Sequence, residues 1–358
     1  MSINHYFNEP RRELEAYLGV LYNRYRLLEF HGERVIRGQL SRGFSGMEKT
    51  LAHALSSFPG RFSFEKVGDE TYLTISAPVG VQPRQNWKLH GLLFLATVLT
   101  TLLAGSLREG GDPITFPSEL LLGLPFSASI MLILLIHELG HYFAARHHGM
   151  NVSLPFFIPM PPPLIFGTAG ALIKMRSPMF SRRTLLDVGA AGPLAGFVVS
   201  VPLVILGLTS SAWGNTVSDY FVFGNSLLFS WLSRLVLGSP AAGQVLQMSS
   251  VAFAGWIGFF VTAMNLIPLG QLDGGHIAYA LFGRKHKYMA YCFLLLLLVM
   301  GYFWSGWFFW AFLILVFIRV QHPPILDEEI PLDRKRILLG MATILVFILT
   351  FIPVPLVV

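Results

Sequence analysis

The sequence predicts an α-helical polytopic membrane protein of about six to seven transmembrane helices with a membrane-dipping hairpin, preceded by a small soluble α+β domain. Three observations carry that reading. Hydrophobic residues make up 53% of the chain and charged residues only 13%, whereas soluble domains carry about 25% charged residues. Mean hydropathy is +0.58. The long apolar runs all lie after residue 88, which divides the chain into a polar part, 1–87, and a membrane part, 88–358, with its core at 119–283.

Within residues 1–87, Pro10 to about Glu29 reads as an amphipathic helix. Arg34–Arg37, Arg61–Glu65 and Thr71–Ser76 alternate as short strands, with a helix over Gly46–Leu55 between the first two. Pro78 to Trp87 serves as a linker. Membrane segments are expected at 90–107, 119–148, 185–209, 250–268, 288–319 and 337–356. The run 288–319 is long for one helix, and Gly301 and Ser305-Gly306 offer breaks for two.

Charge orients these spans. Arg146, Lys174, Arg176, Arg182 and Arg183 fall between the second and third, and Arg284-Lys-His-Lys287 follows the fourth, while 210–249 carries only Arg234. Cationic loops face the cytoplasm, so the N-terminal domain is expected there too. Placing Arg334-Lys-Arg336 on the same side requires 288–319 to cross twice. The +6 net charge is explained by these loops. No basic block with interleaved aromatics suggests nucleic acid. The first apolar run begins only near residue 91, so no secretory signal is expected, and Arg11-Arg12 has no apolar region behind it. The single cysteine, Cys292, excludes an internal disulfide and a thiolate-rich metal site.

His137-Glu-Leu-Gly-His141 follows the apolar stretch Phe126–Ile136. Histidines four apart on a helix share one face and can hold one metal ion, and the glutamate between them can act as general base on a water. Ionisable groups at membrane depth cost roughly 2.5–3.5 kcal/mol each when charged, which marks them as functional. Leu120 to His137 spans roughly 26 Å of helix, so the motif lies in the membrane but near the cytoplasmic end.

A zinc site of this kind needs a third protein ligand. Asp273, in Met264-Asn-Leu-Ile-Pro-Leu-Gly-Gln-Leu-Asp-Gly-Gly-His276, is the candidate, because Pro268 and Gly270 break the fourth span there. An N-cap role for Asp273 is the plainer alternative. Asn265 is placed to donate to a substrate carbonyl or oxyanion, or else to bond a neighbouring helix. His276 is expected to be interfacial more than supporting, and His147, His148, His286 and His322 are read as interfacial. The small-residue run Gly189–Gly196 allows close helix packing. The apolar, proline-rich segment Leu154–Met175 is too broken to span. A hairpin over Phe166–Met175, including Gly167 and Gly170, would present a strand edge for an unfolded substrate segment.

Together these residues resemble the site-2 protease family of intramembrane zinc metalloproteases. The resemblance rests on His137–His141, Asn-x-x-Pro at Asn265 with Leu-Asp-Gly at Asp273, and Gly192-Pro-Leu-Ala-Gly196. The run Gly167-Thr-Ala-Gly-Ala to Pro178 is similar to the branch shared by bacteria, archaea and plant plastids. The likeness covers about 119–283, extends weakly through His322-Pro-Pro324, and shows no inserted PDZ-like domain in 149–250. It implies one zinc per chain held by His137, His141 and Asp273, with Glu138 as base and Asn265 holding substrate. It also implies cleavage of transmembrane segments of other membrane proteins, in a bacterial or archaeal cytoplasmic membrane. The N-terminal domain becomes the candidate for substrate selection. Two rivals use the same residues: a membrane metal transporter and an inactive protease-shaped scaffold. The first would be expected to show internal repeats, and none is visible.

Overall fold

The computed structural model describes residues 18–30, 33–56, 60–78, 85–161, 166–176, 179–215, 222–323, 325, 327–328 and 330–357. The chain forms two compact units, one of Met1–Gln85 with Ala145–Ser153 and Lys174–Pro178, the other of the remaining residues.

The first unit holds a four-stranded antiparallel sheet. Its strands are β1 (Tyr22–Phe30), β2 (Glu33–Leu40), β3 (Arg61–Val67) and β4 (Glu70–Pro78), in the order β1-β2-β4-β3, with helix α1 (Glu48–Leu55) between β2 and β3. Leu18, Tyr22, Ile36, Leu40, Leu55, Leu73 and Ile75 form its core. Buried Arg37 donates to Thr74 Oγ1 and Glu65 Oε2, both at 2.7 Å, which satisfies a cation that would otherwise be costly in a core.

The expected Pro10–Glu29 helix is corrected here. Only 18–21 are helical, Tyr22–Phe30 is a strand, and the segment before residue 18 lies outside the described residues. A bulge between Tyr22 and Arg24 offsets the two-residue alternation, so buried Tyr22 and half-buried Tyr25 fall three apart and imitate helical spacing. Gly38 opposite permits it, since a Cβ there would lie 2.3 Å from the Arg24 carbonyl. Two later segments complete this unit, joined by the Val152–Met175 bridge. Arg61 donates to the Met150 carbonyl at 2.8 Å.

The second unit is mostly helical. It begins with α2 (Trp87–Arg108) and, after a 3-10 stretch, α3 (Leu124–His147). A short hairpin of β5 (Phe156–Pro159) and β6 (Thr168–Leu172) leads to α4 (Arg182–Leu208). Then come β7 (Ala212–Asn215), β8 (Val222–Phe223), α5 (Leu227–Leu237), β9 (Gln244–Gln247) and α6 (Ser250–Asn265). The chain ends with α7 (Asp273–Phe282), α8 (His286–Met300), α9 (Gly306–Leu313), α10 (Arg334–Thr350) and β10 (Leu356–Val357). Among the described residues, Trp87–Arg108, Pro117–His147 and Arg182–Leu208 are long and apolar enough to cross a membrane. The run 288–319 is indeed broken into α8 and α9, and the expected loop 210–249 contains helix α5 and strands β7, β8 and β9.

Polar caps start five of these helices, α2, α4, α5, α6 and α10. Asn86, Ser181, Ser226, Ser249 and Asp333 each accept a hydrogen bond from the backbone N–H three residues on, which satisfies an otherwise orphaned donor. Helix α6 is the centre of the unit. Phe253, Trp256 and Phe259 on it pack with Phe126, Ile130 and Leu134 of α3 and Val204 of α4. Backbones approach closely because the contact residues are small. A Cβ on Gly258 would lie 2.3 Å from Ser200 Oγ and 2.9 Å from Ile133 Cδ1. Gly258→Leu should therefore overpack the α3–α4–α6 contact, costing about 1–3 kcal/mol. Thermal unfolding in detergent checks this; an unchanged midpoint would contradict the packing.

Candidate metal centre and active site

The chain after α6 cannot continue as helix. Pro268 removes a donor, and Gly270 turns the backbone with φ +54. The turn is so tight that a Cβ on Gly274 would lie 2.0 Å from the Leu266 carbonyl. This turn starts α7 with Asp273 at its first position. The C-terminal end of α6, the start of α7 and the motif on α3 consequently meet.

There His137, His141 and Asp273 bring one donor atom each within 4.8 Å of one another. His137 Nε2 lies 3.2 Å from His141 Nε2, and Asp273 Oδ2 lies 3.6 and 3.3 Å from the two nitrogens. Donors at ~2.0–2.1 Å from a tetrahedral zinc ion would be separated by about 3.3 Å. Two imidazoles and a carboxylate at this spacing fit zinc. The His141 tautomer fits as well: its Nδ1–H donates to the Val188 carbonyl at 2.7 Å, leaving the Nε2 lone pair for a metal. Among the described residues, no other group of His, Cys, Asp and Glu side chains is arranged this way.

Helix α4 makes room for the pair. A Cβ on Gly192 would lie 2.1 Å from His141 Nε2, and one on Gly196 3.1 Å from His137 Nδ1. Gly189 faces the His276 Cβ at 3.0 Å and the Asp273 carbonyl at 3.3 Å. The glycine run is thus a groove that admits the side chains around the metal centre as well as a helix-packing surface.

Glu138 is 6% exposed, and the backbone N–H of Ile173, directly after β6, lies close to its carboxylate. The Asn265 amide nitrogen lies 3.2 Å from His137 Nε2, so this side chain reaches the same point as the three donors. The two glycines expected to present an edge differ. Gly167, φ +66, is packed against α2, where a Cβ would lie 2.6 Å from the Thr100 carbonyl, whereas Gly170, φ +100, has open space at that position. Neither touches the His–Asp cluster in the contacts found.

Two of the histidines read as interfacial, His286 and His322, need correction, whereas His147 is exposed and His148 half-buried. His286 and His322 are 1% and 8% exposed. His286 Nε2 lies 3.1 Å from the Pro268 carbonyl, and His322 Nε2 lies 2.8 Å from His276 Nδ1. Their positions beside charges at predicted helix ends hid this, because the pairing joins segments far apart in sequence. Sequence reasoning also missed Val188 and Ile173, which act through backbone groups that any residue carries. The glycine spacing was the one available signal for the groove.

Residues 125–301 match the peptidase family M50. Residues 125–301 carry the domain of the site-2 protease family. The match spans both ends of the metal centre, from α3 through α7. The chain is 32% identical over 237 residues to "Probable zinc metalloprotease EGY2, chloroplastic" of Arabidopsis thaliana, covering 65% of this chain and 42% of that protein. The protein of the same name from Oryza sativa subsp. indica is 29% identical over 332 residues, 89% of this chain and 60% of its own length. The Arabidopsis thaliana "Probable zinc metalloprotease EGY1, chloroplastic" is 33% identical over 243 residues, covering 64% and 43%. The chain thus spans roughly half the length of these relatives. No solved structure matches it.

If the α4 groove admits the ligands as described, Gly192→Ala should abolish tight zinc binding by displacing His141. Zinc stoichiometry of the purified variant is the readout, and one retained equivalent at wild-type affinity would contradict the groove.

Proposed function

We propose that the protein is an intramembrane zinc endopeptidase that cleaves transmembrane segments of other membrane proteins. The observation that carries this reading is the convergence of His137, His141 and Asp273 beside buried Glu138 on a membrane-length apolar helix. His137, His141 and Asp273 would hold one zinc ion, which when bound supplies a Lewis acid that lowers the pKa of water towards ~7 and polarises a carbonyl. The names of the relatives support zinc as the metal.

The chain's own residues divide the remaining work. Glu138 takes a proton from the attacking water and delivers it to the leaving amine nitrogen. Asn265 donates its amide N–H to the substrate carbonyl oxygen, where negative charge develops. The β5–β6 hairpin offers an extended edge near Glu138, with Gly170 open beside it and Gly167 anchoring it to α2. A helical substrate hides its peptide bonds, and pairing with this edge would hold it unwound. Burial around the three donors limits competing water.

In the topology that charge supports, the cationic loops and the domain of residues 1–87 face the cytoplasm, and α8 and α9 each cross, giving seven spans. That domain would select substrates. A bacterial or archaeal cytoplasmic membrane fits this orientation; the chloroplast relatives make a plastid membrane the other candidate compartment.

The test is cleavage of a panel of tagged single-pass membrane proteins by purified enzyme in detergent. Wild type should cut within the apolar segment and lose that activity with a zinc chelator. Glu138→Gln should keep one zinc and lose roughly 100- to 10,000-fold in rate. Cleavage by that variant at the wild-type rate would remove Glu138 from the mechanism. Zinc flux into liposomes without any cleavage would instead support a transporter.

A further inference from the structure

The turn that carries Asp273 has little support of its own. Leu272, at the N-cap of α7, offers no side-chain hydrogen bond. The interactions found for the Asp273 carboxylate are with His137 and His141. Metal-binding carboxylates are ordinarily held by further hydrogen bonds that fix their orientation. Here the support comes from the segment that follows α9.

That segment grips the turn at three successive points. The Val320 carbonyl accepts the Gly270 N–H at 3.0 Å. Close approach is possible only because residue 270 is glycine, since a Cβ would lie 2.0 Å from the Arg319 carbonyl. Arg319 itself adopts φ +65, the only non-glycine positive φ among the described residues, an unfavourable conformation that sharply turns the chain after α9. Next, His322 pairs with His276, one helical turn beyond Asp273, at 2.8 Å. Last, the Tyr279 ring lies against the His322 ring, with centroids 4.6 Å apart, and the Tyr279 hydroxyl donates to Glu328 Oε1 at 2.5 Å.

The donor and acceptor roles in the histidine pair follow from the carbonyl beside it. His322 Nδ1 lies 2.5 Å from the Pro323 carbonyl, which only accepts, so Nδ1 carries the proton. In the neutral ring Nε2 is then an acceptor, and His276 Nδ1–H must donate to it. The bond is directional, and His322 is buried, so neither ring can rotate without losing a partner inside the protein.

We propose that His322, acting through His276, is the positioning residue that holds Asp273 in the metal centre. It touches neither substrate nor metal. It fixes the first turn of α7 so that the Asp273 carboxylate meets the two α3 histidines without further ordering when a metal arrives. This inference rests on the zinc-site reading above but not on proteolysis.

The test measures metal affinity, not turnover. Full-length protein in detergent is stripped, and zinc and cobalt affinities are measured by chelator competition, with the cobalt visible spectrum reporting ligand geometry. His322→Ala should lower affinity about 10- to 100-fold, the range typical of lost support around metal ligands, and alter the cobalt spectrum. His322→Gln, whose carbonyl oxygen can accept from His276, should recover most of the affinity; His322→Ala/His276→Ala should lose no more than either single variant. Arg336→Gln, which breaks an ion pair between α10 and Asp187 of α4, controls for general loosening and should leave the spectrum unchanged. His322→Ala with affinity within twofold of wild type and an unchanged spectrum would overturn the proposal. So would equal losses in Arg336→Gln, or no recovery in a folded His322→Gln. If wild type binds no metal at all, it is the zinc-site reading that fails; tight zinc without cleavage would fail the protease reading and leave this inference standing.

Discussion

Three ionisable side chains drawn together away from water set the terms for everything around them. Placing imidazoles and a carboxylate inside an apolar bundle costs free energy that hydrophobic packing cannot recover. The cost is offset when the groups share a cation, so in the proposed site the metal is both the chemical centre and the reason these segments converge. Helix α3 contributes two donors through simple helical periodicity. The third donor of the proposed site, Asp273, comes from another element, where the chain breaks after α6 at Pro268 and restarts as α7. Helix α4 carries glycines where side chains would meet His137 and His141. A membrane helix without this duty could be uniformly apolar and unbroken.

The same constraint shapes the hairpin. Backbone donors and acceptors have no water to turn to at membrane depth, so an irregular segment must pair with itself or with protein. Strands β5 and β6 pair with each other. Among the described residues this ribbon has two strands, and the proposed substrate segment would add a third. The proposed proteolysis would use such an edge, because an unwound substrate exchanges helical hydrogen bonds for strand bonds.

Much of this was legible from sequence because it depends on side-chain type and local spacing. The His-Glu-x-x-His pattern, the Pro268–Gly270 break and the interruption at Gly301 each name their own geometry. The long apolar runs at 90–107, 119–148 and 185–209 correspond to α2, α3 and α4. What stayed hidden depends on partners distant in the chain. The bulge after Tyr22 disguised a strand as a helix, because alternation is only informative when register is unbroken. Helix α5 was missed because its apolar run, Leu227–Leu237, is too short to read as a membrane span. His286 and His322 read as interfacial from sequence because each sits next to a charge or a proline, while its actual partner lies on another segment or across a turn. Val188 and Ile173 act through backbone atoms, which leave no compositional trace.

The central claim is that one zinc ion is held jointly by α3 and α7. X-ray absorption at the zinc edge, on purified wild type beside Asp273→Ala, tests it most directly. A four-coordinate site of two imidazole nitrogens and oxygen ligands at ~2.0–2.2 Å is expected, with the Asp273→Ala spectrum changed or its zinc lost. An identical spectrum from the two proteins, with full zinc in both, would mean that Asp273 is no ligand and that the α6–α7 break serves some other end.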